Sequence, residues 1–328
     1  MGFLSCPFYF HQTLAVDDDG LSLLRVPQNN AFSFIISYLC FTSKRQNDFS
    51  KQMTAFSFNP VTPHPLLSPF IEKMWVFESS GRLPEQDKKL IVPNANFKLT
   101  LTYRNGLVAQ IDGRTFVQSE NELSLSGFID SPVNLDPYED TQTGTIIIEF
   151  NPLGVYRLFH LSYAEVKNQI VEVSALFGSR MEILKSELTD AGTVEMKLNI
   201  LQNFLIKQLE KAAPDLIYDY CINRISASGG LVSVAQLEKE TGYSSRWLHK
   251  KFLEYAGTGP KNFSEIMRFK QFYQVYSSGI EFQNLKDRIY DYYYDQSHFI
   301  RAFKRFTGFT PTDLQNSPNE LASKHYTS

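Results

Sequence analysis

Alternation of apolar and polar positions predicts a β-rich region in the first half of the chain. Between residues 97 and 103, apolar side chains alternate with polar ones, which is the period of a half-buried strand. The dipeptides Asn105-Gly106 and Asp112-Gly113 follow, and both are typical of hairpin turns. Further short apolar runs recur up to residue 150. The spacing predicts a small all-β barrel or sandwich over residues 73–150.

After Pro152 the period changes to that of helices. Residues 181–188 and 194–209 are amphipathic, and the second stretch carries Leu198, Leu201, Leu205 and Leu209 on one stripe. This stripe has two interpretations, the seam of a homodimer or a core within the chain, and the pattern favours the core. A third helix is predicted over residues 216–225. The residues 226–230, two Ser, one Ala and two Gly, then read as a linker.

Residues 231–314 repeat one plan twice: a short helix, a sharp turn and a second helix. In the first unit Gly242 marks the turn and Ser244 is the expected N-cap of the second helix. In the second unit Asp295 has the N-cap position. Between the units, Pro260 begins a longer helix at a position that suits a first turn. This arrangement predicts two helix-turn-helix units.

The second helix of each unit has an apolar face and a polar face. In the first unit Leu248 and Phe252 face the core, while Arg246, His249 and Lys250 point outward. A helix in the major groove reads bases with residues near its N-terminus. One such helix is more often just a core-packed helix with a solvated face, but two in succession favour DNA contact. In the second unit the outward residues are Gln296, Ser297, Ile300 and Arg301.

Residues 231–314 resemble the DNA-binding domain of AraC/XylS-type transcription regulators. The resemblance rests on residues 242–252, 259–263 and 294–311, of which the last run is highly specific. It implies two helix-turn-helix units, joined by a central helix, that enter successive major grooves on one face of DNA. Residues 60–178 resemble more weakly the β-rich, cupin-like N-terminal domain of some bacterial members. The base-reading residues implied by the family positions are Arg246, His249, Lys250, Gln296, Ser297 and Arg301.

One turn departs from the family pattern. The family usually has a glycine just before the aromatic pair that precedes Asp295, and this chain has Tyr292-Tyr293-Tyr294 instead. Either Tyr292 adopts the turn conformation that glycine favours, or the turn is one residue shorter. The second alternative changes the angle at which the second unit docks on DNA.

Charge and composition agree with an anionic partner. The 328 residues carry a net charge of -3, but residues 229–317 hold 12 Lys and Arg against 9 Asp and Glu. Three widely spaced Cys form neither a disulfide framework nor a zinc motif. The longest nearly apolar run, residues 31–41, is about half of the roughly 20 residues that a membrane span needs. We expect a cytoplasmic protein without a membrane partner.

The rival class is a β-barrel ligand-binding protein or enzyme with an accessory helical domain. Only His64 and His160 among the six His lie in or next to the β region, too few for a metal site. Asp136, Glu139 and Asp140 could act as acid or base, but the intervening Pro137 indicates a solvated loop. The chain has no nucleophile, phosphate-binding or dinucleotide motif. We therefore expect no enzymatic activity, no metal and no cofactor.

Together these patterns predict an α+β multidomain transcription regulator. Its expected partners are double-stranded DNA, a small-molecule effector of unidentified chemistry and, as the alternative for the leucine stripe, a second copy of the chain. Residues 1–52 lack a sustained period, so they are either an upstream extension outside the native protein or an N-terminal arm. The remaining expected divisions are a β-rich sensor or association domain (53–178), a helical connector (179–228), the double helix-turn-helix domain (229–317) and a tail (318–328).

Overall fold

A computed structural model describes residues 56–159, 163–178, 180–209, 213–277, 280 and 282–327. The expected extension over residues 1–52 and His160 lie outside the described residues. Within them, the predicted fold class is confirmed: a β-rich domain is followed by connecting helices and by two helix-turn-helix units. None of the described helices combines the length and apolar character that crossing a membrane requires.

The β-rich domain consists of two antiparallel sheets. One has the strand order β1-β2-β9-β4-β7-β10 and the other β3-β8-β5-β6. The strands are β1 (Phe56–Pro60), β2 (Ile71–Ser79), β3 (Leu90–Ile91), β4 (Phe97–Arg104), β5 (Leu107–Ile111), β6 (Arg114–Gln118), β7 (Glu122–Ser126), β8 (Val133–Pro137), β9 (Thr143–Phe150) and β10 (Ile170–Glu172).

The larger sheet is buried on both faces. Ile146 and Ile148 of β9 belong to the core shared with the helices, whereas Ile147 between them belongs to a second core between the sheets. Trp75 and Phe77 of β2 lie in this second core as well. Burial on both sides explains why every residue of β9 is buried and why three isoleucines stand in succession at its centre.

The helices form the other side of the shared core. They are α1 (Pro152–Phe159), α2 (Val173–Phe177), α3 (Arg180–Asp190), α4 (Val194–Leu209), α5 (Leu216–Ala227), α6 (Val234–Thr241), α7 (Ser245–Ala256), α8 (Pro260–Ser277), α9 (Phe282–Ile289), α10 (Gln296–Thr307), α11 (Pro311–Gln315) and α12 (Glu320–Thr327). A 3-10 turn spans Tyr163–Val166.

The leucine stripe of α4 is part of this core. Leu198, Leu201 and Leu205 are buried, and Leu209 packs against the same cluster. These side chains are therefore engaged within the chain, as the core interpretation expected. The stripe does not supply the dimer seam that was its alternative.

The predicted linker after α5 is a packed turn. Helix α5 continues to Ala227, and the backbone N–H of Gly230 donates to the Ile225 carbonyl at 2.8 Å. Gly230 has φ 81°, and a Cβ added there would lie 2.2 Å from the Ser264 carbonyl oxygen of α8. Arg268 donates to the Gly230 carbonyl at 2.8 Å. Gly230 thus permits the close approach of this turn to α8, and the segment is not a flexible linker.

The last described helix, α12, lies on the β-rich domain. The Asn319 side chain pairs with both backbone groups of Leu90, accepting from its N–H at 3.2 Å and donating to its carbonyl at 3.2 Å. The backbone N–H of Glu320 donates to Asp87 at 2.8 Å. These bonds give the backbone groups at the outer edge of β3 hydrogen-bond partners, and they hold the start of α12 in place.

Candidate nucleic-acid interface

The first helix-turn-helix unit has the predicted local geometry. Helix α6 ends at Gly242, whose φ of 75° places it in the left-handed region that favours glycine. Ser244 caps the following helix α7, because its side chain accepts from the backbone N–H of Trp247 at 3.3 Å. The rings of Tyr243 and Trp247 stack with centroids 4.1 Å apart and hold the turn against α7.

Helix α7 presents the predicted residues on its outer face. Leu248 and Phe252 are buried, whereas Arg246, His249 and Lys250 are exposed. Arg246 and Lys250 form no ion pair with another described residue. The structure therefore keeps two positive charges and an imidazole available on one side of the helix.

A shallow groove at this face includes a residue that the sequence analysis missed. Arg246 and His249 line the groove together with Lys261, at the start of the central helix α8. A Cβ on Gly259 would lie 2.6 Å from the His249 ring, so this glycine allows the close approach. The signal for Lys261 was its position directly after the helix-opening Pro260.

Lys251, next to these residues, is held inside the protein. Its Nζ lies 2.9 Å from Asp215 and 4.6 Å from the centre of the Tyr255 ring. Burial alone would lower the pKa of Lys251, but hydrogen bonds to Asp215 and Tyr255 raise it overall. Lys251 therefore stabilises the junction between α5 and α7.

The second unit repeats this arrangement. The Asp295 side chain accepts from the backbone N–H of His298 at 2.7 Å and caps α10. The predicted stripe of Phe299, Phe303 and Phe306 is buried. Gln296, Ser297 and Arg301 are exposed, and Arg301 forms no ion pair with another described residue.

Two further side chains of α10 pack toward the core, and for one of them, Ile300, this differs from its expected place. Ile300, predicted to point outward, is half-buried and packs against the core. The His298 ring is also half-buried, and it lies edge-on to Tyr293 with centroids 5.4 Å apart. The side chains of Ile300 and His298 both widen the buried face of α10, which packs against a core rich in aromatic rings.

The glycine-free turn is rebuilt, so Tyr292 is not in the left-handed region. The backbone N–H groups of Tyr292 and Tyr293 both donate to the Ile289 carbonyl, at 3.1 and 2.8 Å. The Tyr292 ring is half-buried and lies edge-on to Phe272, with centroids 6.5 Å apart. The turn therefore avoids the strained left-handed conformation at Tyr292, and the Tyr292 ring packs against the core.

Arg305 follows the exposed residues of α10 by one turn and binds within the chain. Its guanidinium donates to Glu265 at 3.0 Å and to Asn262 at 2.6 Å. It also lies 3.6 Å from the carboxylate of Asp130, in the loop between β7 and β8. Arg305 therefore joins the second unit to the central helix and to the β-rich domain.

Asp136, one of the candidate acid and base residues, is held in structural contacts. Asp136 lies in strand β8, not in the expected loop, and its carboxylate pairs with Lys89 at 2.6 Å. It also accepts from the backbone N–H of Leu83 at 2.9 Å. Across the residues that the structure describes, no three His, Cys, Asp or Glu side chains converge as metal ligands would.

The β-rich domain contains a cavity of about 80 Å³ between its two sheets. Its walls are mostly apolar and include Phe58, Trp75 and Ile147. His325 of α12 closes part of it, although the sequence placed only His64 and His160 near this domain. A contact between residues 75 and 325 has no local signal in the sequence.

Comparisons with known proteins concern mainly the fold. Residues 59–172 match the family model of a domain of unknown function, DUF6597. Among similar solved structures, one of ToxT from Vibrio cholerae is 15% identical with a TM-score of 0.40, covering 73% of this chain and 97% of that chain. ToxT belongs to the AraC family, which the C-terminal motifs resemble.

A ToxT structure with bound unsaturated fatty acid is 14% identical with a TM-score of 0.41, covering 76% of this chain and 97% of the other. The cupin domain of Cnp3 from Schizosaccharomyces pombe is 9% identical with a TM-score of 0.23, covering 29% of this chain and 64% of that one. Curated proteins give no significant match. At such low identities these likenesses carry no functional inference.

Proposed function

We propose that the protein is a transcription regulator that binds a specific DNA sequence with two helix-turn-helix units. The observation that carries this proposal is the recurrence of one surface on two helices. Each of α7 and α10 buries an aromatic or aliphatic stripe and exposes polar residues near its N-terminus. In each, one exposed arginine, Arg246 or Arg301, has no ion-pair partner among the described residues.

The use of basic residues supports an anionic partner. Three basic residues form ion pairs within the chain: Lys251 with Asp215, Lys270 with Glu72, and Arg305 with Glu265. The two units and the start of α8 carry exposed basic residues that form no ion pair with a described residue, among them Arg246, Lys250, Lys261, Arg301 and Lys304. Positive charge that is not neutralised within the chain favours contact with DNA phosphates.

Each exposed side chain suits a particular contact. Arg246 and Arg301 can bind the O6 and N7 atoms of guanine with two hydrogen bonds, and Gln296 can bind adenine in the same way. Lys250 provides a single point charge for guanine or phosphate. We assign His249 and Ser297 to hydrogen bonds with base edges or phosphates beside these anchors.

The β-rich domain supplies regulation in this proposal. Its cavity has the apolar walls and the few polar groups that small-molecule sites share. It is also in direct contact with the DNA-binding domain, because the rings of Phe128 and Phe263 stack with centroids 6.0 Å apart. A change in the β-rich domain therefore reaches the central helix through packed side chains.

Selection of bound duplexes from a random pool, followed by footprinting, tests this function. We expect a preferred sequence, affinity that falls steeply as salt rises, and protection in two adjacent segments. Arg301→Ala should erase one protected segment and leave the other. Lys207→Ala, an exposed lysine on α4, is the matched control and should leave the footprint unchanged. Failure to select any sequence would contradict the proposal.

A further inference from the structure

The ring of His325 is inserted into the β-rich domain. The side chain belongs to α12, yet only 4% of the residue is exposed. Its ring lies edge-on to Trp75, with centroids 4.9 Å apart and an interplanar angle of 83°. Phe58 flanks it at 6.0 Å. Aromatic edges and faces thus form a slot that fits one flat ring.

This slot forms part of the cavity wall. His325 is one of the residues that line the cavity, and Leu321, one turn earlier in α12, is fully buried in the core between the sheets. The cavity of about 80 Å³ is well above the roughly 10–15 Å³ that is the minimum for holding one water molecule, so it has room for a small ligand group.

Polar groups in and beside the cavity lack partners. Trp75 Nε1, Asn96 Oδ1 and Glu149 Oε2 are buried, and none forms a hydrogen bond with another described residue. Trp75 and Asn96 line the cavity directly. One donor, on Trp75, and one acceptor, on Asn96, therefore belong to residues that line the cavity, and they suit an occupant that itself carries both an N–H group and an acceptor atom.

The charges around the slot favour a neutral occupant. Lys73 and Lys98 flank Glu149 on the neighbouring strands, and Lys98 Nζ lies 3.8 Å from Glu149. The pKa of His325 is lowered to about 3, mainly by burial; Glu149 opposes this shift, and Lys98, Lys73 and Lys270 act in the same direction as burial. His325 is therefore uncharged at neutral pH, and a charged ring would lose hydration without gaining a free counter-ion.

We propose that this slot in the cavity wall is a binding site for a neutral, planar nitrogen heterocycle. His325 occupies the site in place of the ligand, so that α12 is a lid that the ligand displaces. Three hydrogen bonds hold the lid beside the ring. Lys324 Nζ donates to the Phe56 carbonyl at 3.0 Å, Lys73 Nζ to the His325 carbonyl at 3.1 Å, and the Tyr326 hydroxyl to the Val92 carbonyl at 2.7 Å.

Displacement of the lid would reach the DNA-binding domain. The Tyr326 ring lies edge-on to Tyr273 of the central helix, with centroids 5.2 Å apart. Tyr273 in turn lies 6.4 Å from Phe303 of α10. This consequence for DNA affinity rests on the proposed function, whereas binding of the heterocycle does not.

The test uses the full chain and the fluorescence of Trp75. The chain has two Trp, so Trp247→Phe leaves Trp75 as the single emitter. In this background His325→Ala opens a gap of the shape of the lost ring, and Ser323→Ala is the control at an exposed position of the same helix. The probe is 4-methylimidazole, which has the ring of a His side chain.

At pH 8.5, where the probe is neutral, we expect at least about tenfold tighter binding to the His325→Ala variant than to the control. At pH 5.0 the probe is mostly protonated, and this preference should disappear. Equal affinity for both variants at pH 8.5, or a preference that persists undiminished at pH 5.0, would overturn the proposal.

A second variant covers the case in which His325→Ala does not fold. Tyr326→Phe keeps the ring but removes the hydrogen bond to Val92, so it loosens the lid while His325 remains. We expect stronger quenching of Trp75 by acrylamide than in the Ser323→Ala control, and tighter probe binding. Quenching and probe affinity equal to those of the control would show that α12 is not a lid. Because Trp75 reports without DNA, these outcomes are independent of any failure to find a DNA site.

Discussion

Asp130 accepts a hydrogen bond from Asn262 at 2.9 Å, and this contact joins the β-rich domain to the first turn of the central helix. The same carboxylate lies 2.7 Å from Lys167 and 3.6 Å from Arg305 of α10. One loop residue of the β-rich domain is thus in contact with both the central helix and the second helix-turn-helix unit. Burial alone would raise the pKa of Asp130, but hydrogen bonds from Lys167, Asn168 and Asn262 lower it overall.

Asp130→Asn should therefore destabilise the protein at neutral pH by about 1–3 kcal/mol, because it removes the charge that these donors share. A carboxyl whose folded-state pKa is lowered stabilises above its unfolded value, about 3.9, and loses this contribution as the pH falls through the folded-state pKa. The gap between wild type and variant should thus shrink below about pH 4. Urea unfolding at pH 7 and 3.5 measures it, with the exposed Asp291→Asn as control.

His325 should also make the protein less stable as the pH falls, and it should do so at a higher pH than Asp130 does. Its folded-state pKa is about 3 and its unfolded value about 6.5, so between these limits only the unfolded chain takes up the proton. Stability therefore falls as the pH falls, by about 2 kcal/mol between pH 7 and pH 5. Glu149, with a pKa of about 2, acts only below about pH 4.5.

His325→Gln should remove this part of the pH dependence. Calorimetry from pH 7 to pH 5 gives the slope for the variant and for wild type. An equal slope in the two proteins would show that the His325 ring is charged in the folded state, contrary to its burial.

In the first unit, Arg246→Ala and Lys250→Ala should each weaken DNA binding, by about 1–3 kcal/mol where the side chain binds a base with two hydrogen bonds. Competition between the selected duplex and a scrambled duplex at fixed salt separates the roles. A loss on the selected duplex alone indicates base reading, and equal losses on both indicate phosphate contact. An unchanged affinity would remove the residue from the interface.

Tyr292→Gly should destabilise the C-terminal domain by about 1–2 kcal/mol. The turn has no strained φ for glycine to relieve, and the change removes a half-buried ring from the aromatic core. Tyr294→Gly is the matched control, because this ring is 92% exposed. Denaturant unfolding of both variants tests the prediction, and stabilisation by Tyr292→Gly would contradict the described turn.

Substitution of the two neighbouring glycines before α6 by alanine should reduce the stability of the protein by very different amounts. Gly229 has φ 59°, and a Cβ there would meet only a Gln271 side-chain carbon at 3.6 Å. Gly229→Ala should cost about 1 kcal/mol from backbone strain alone. Gly230→Ala adds a clash with the backbone of α8 and should cost about 3 kcal/mol or more. Similar thermal stabilities for the two variants would mean that the segment is the flexible linker its composition suggests.

The helix-turn-helix units were predictable because their signals are local. The N-caps Ser244 and Asp295, the turn at Gly242 and the helix start at Pro260 each depend on a few adjacent residues, and the structure has each of them as predicted. The exposed faces followed from the 3.6-residue period for the same reason.

What the sequence did not predict depends on packing between distant segments. His325 contacts Trp75 across 250 positions, and no short-range pattern encodes that pair. Gly230 looks like a linker residue until the backbone of Ser264 is placed beside it. Arg305 reads as one more outward basic residue, because its partner Asp130 belongs to another domain.

The position of α12 also has a consequence for biosynthesis. This helix follows every other described element along the chain, so the ribosome makes the β-rich domain long before its lid. Domains generally fold in the order of their synthesis, and the cavity therefore forms before α12 covers it, while small molecules around the growing chain can enter. During translation a heterocycle has no competitor for the slot. In the finished chain it must displace His325, and the two routes to occupancy differ in rate even where they end in the same complex.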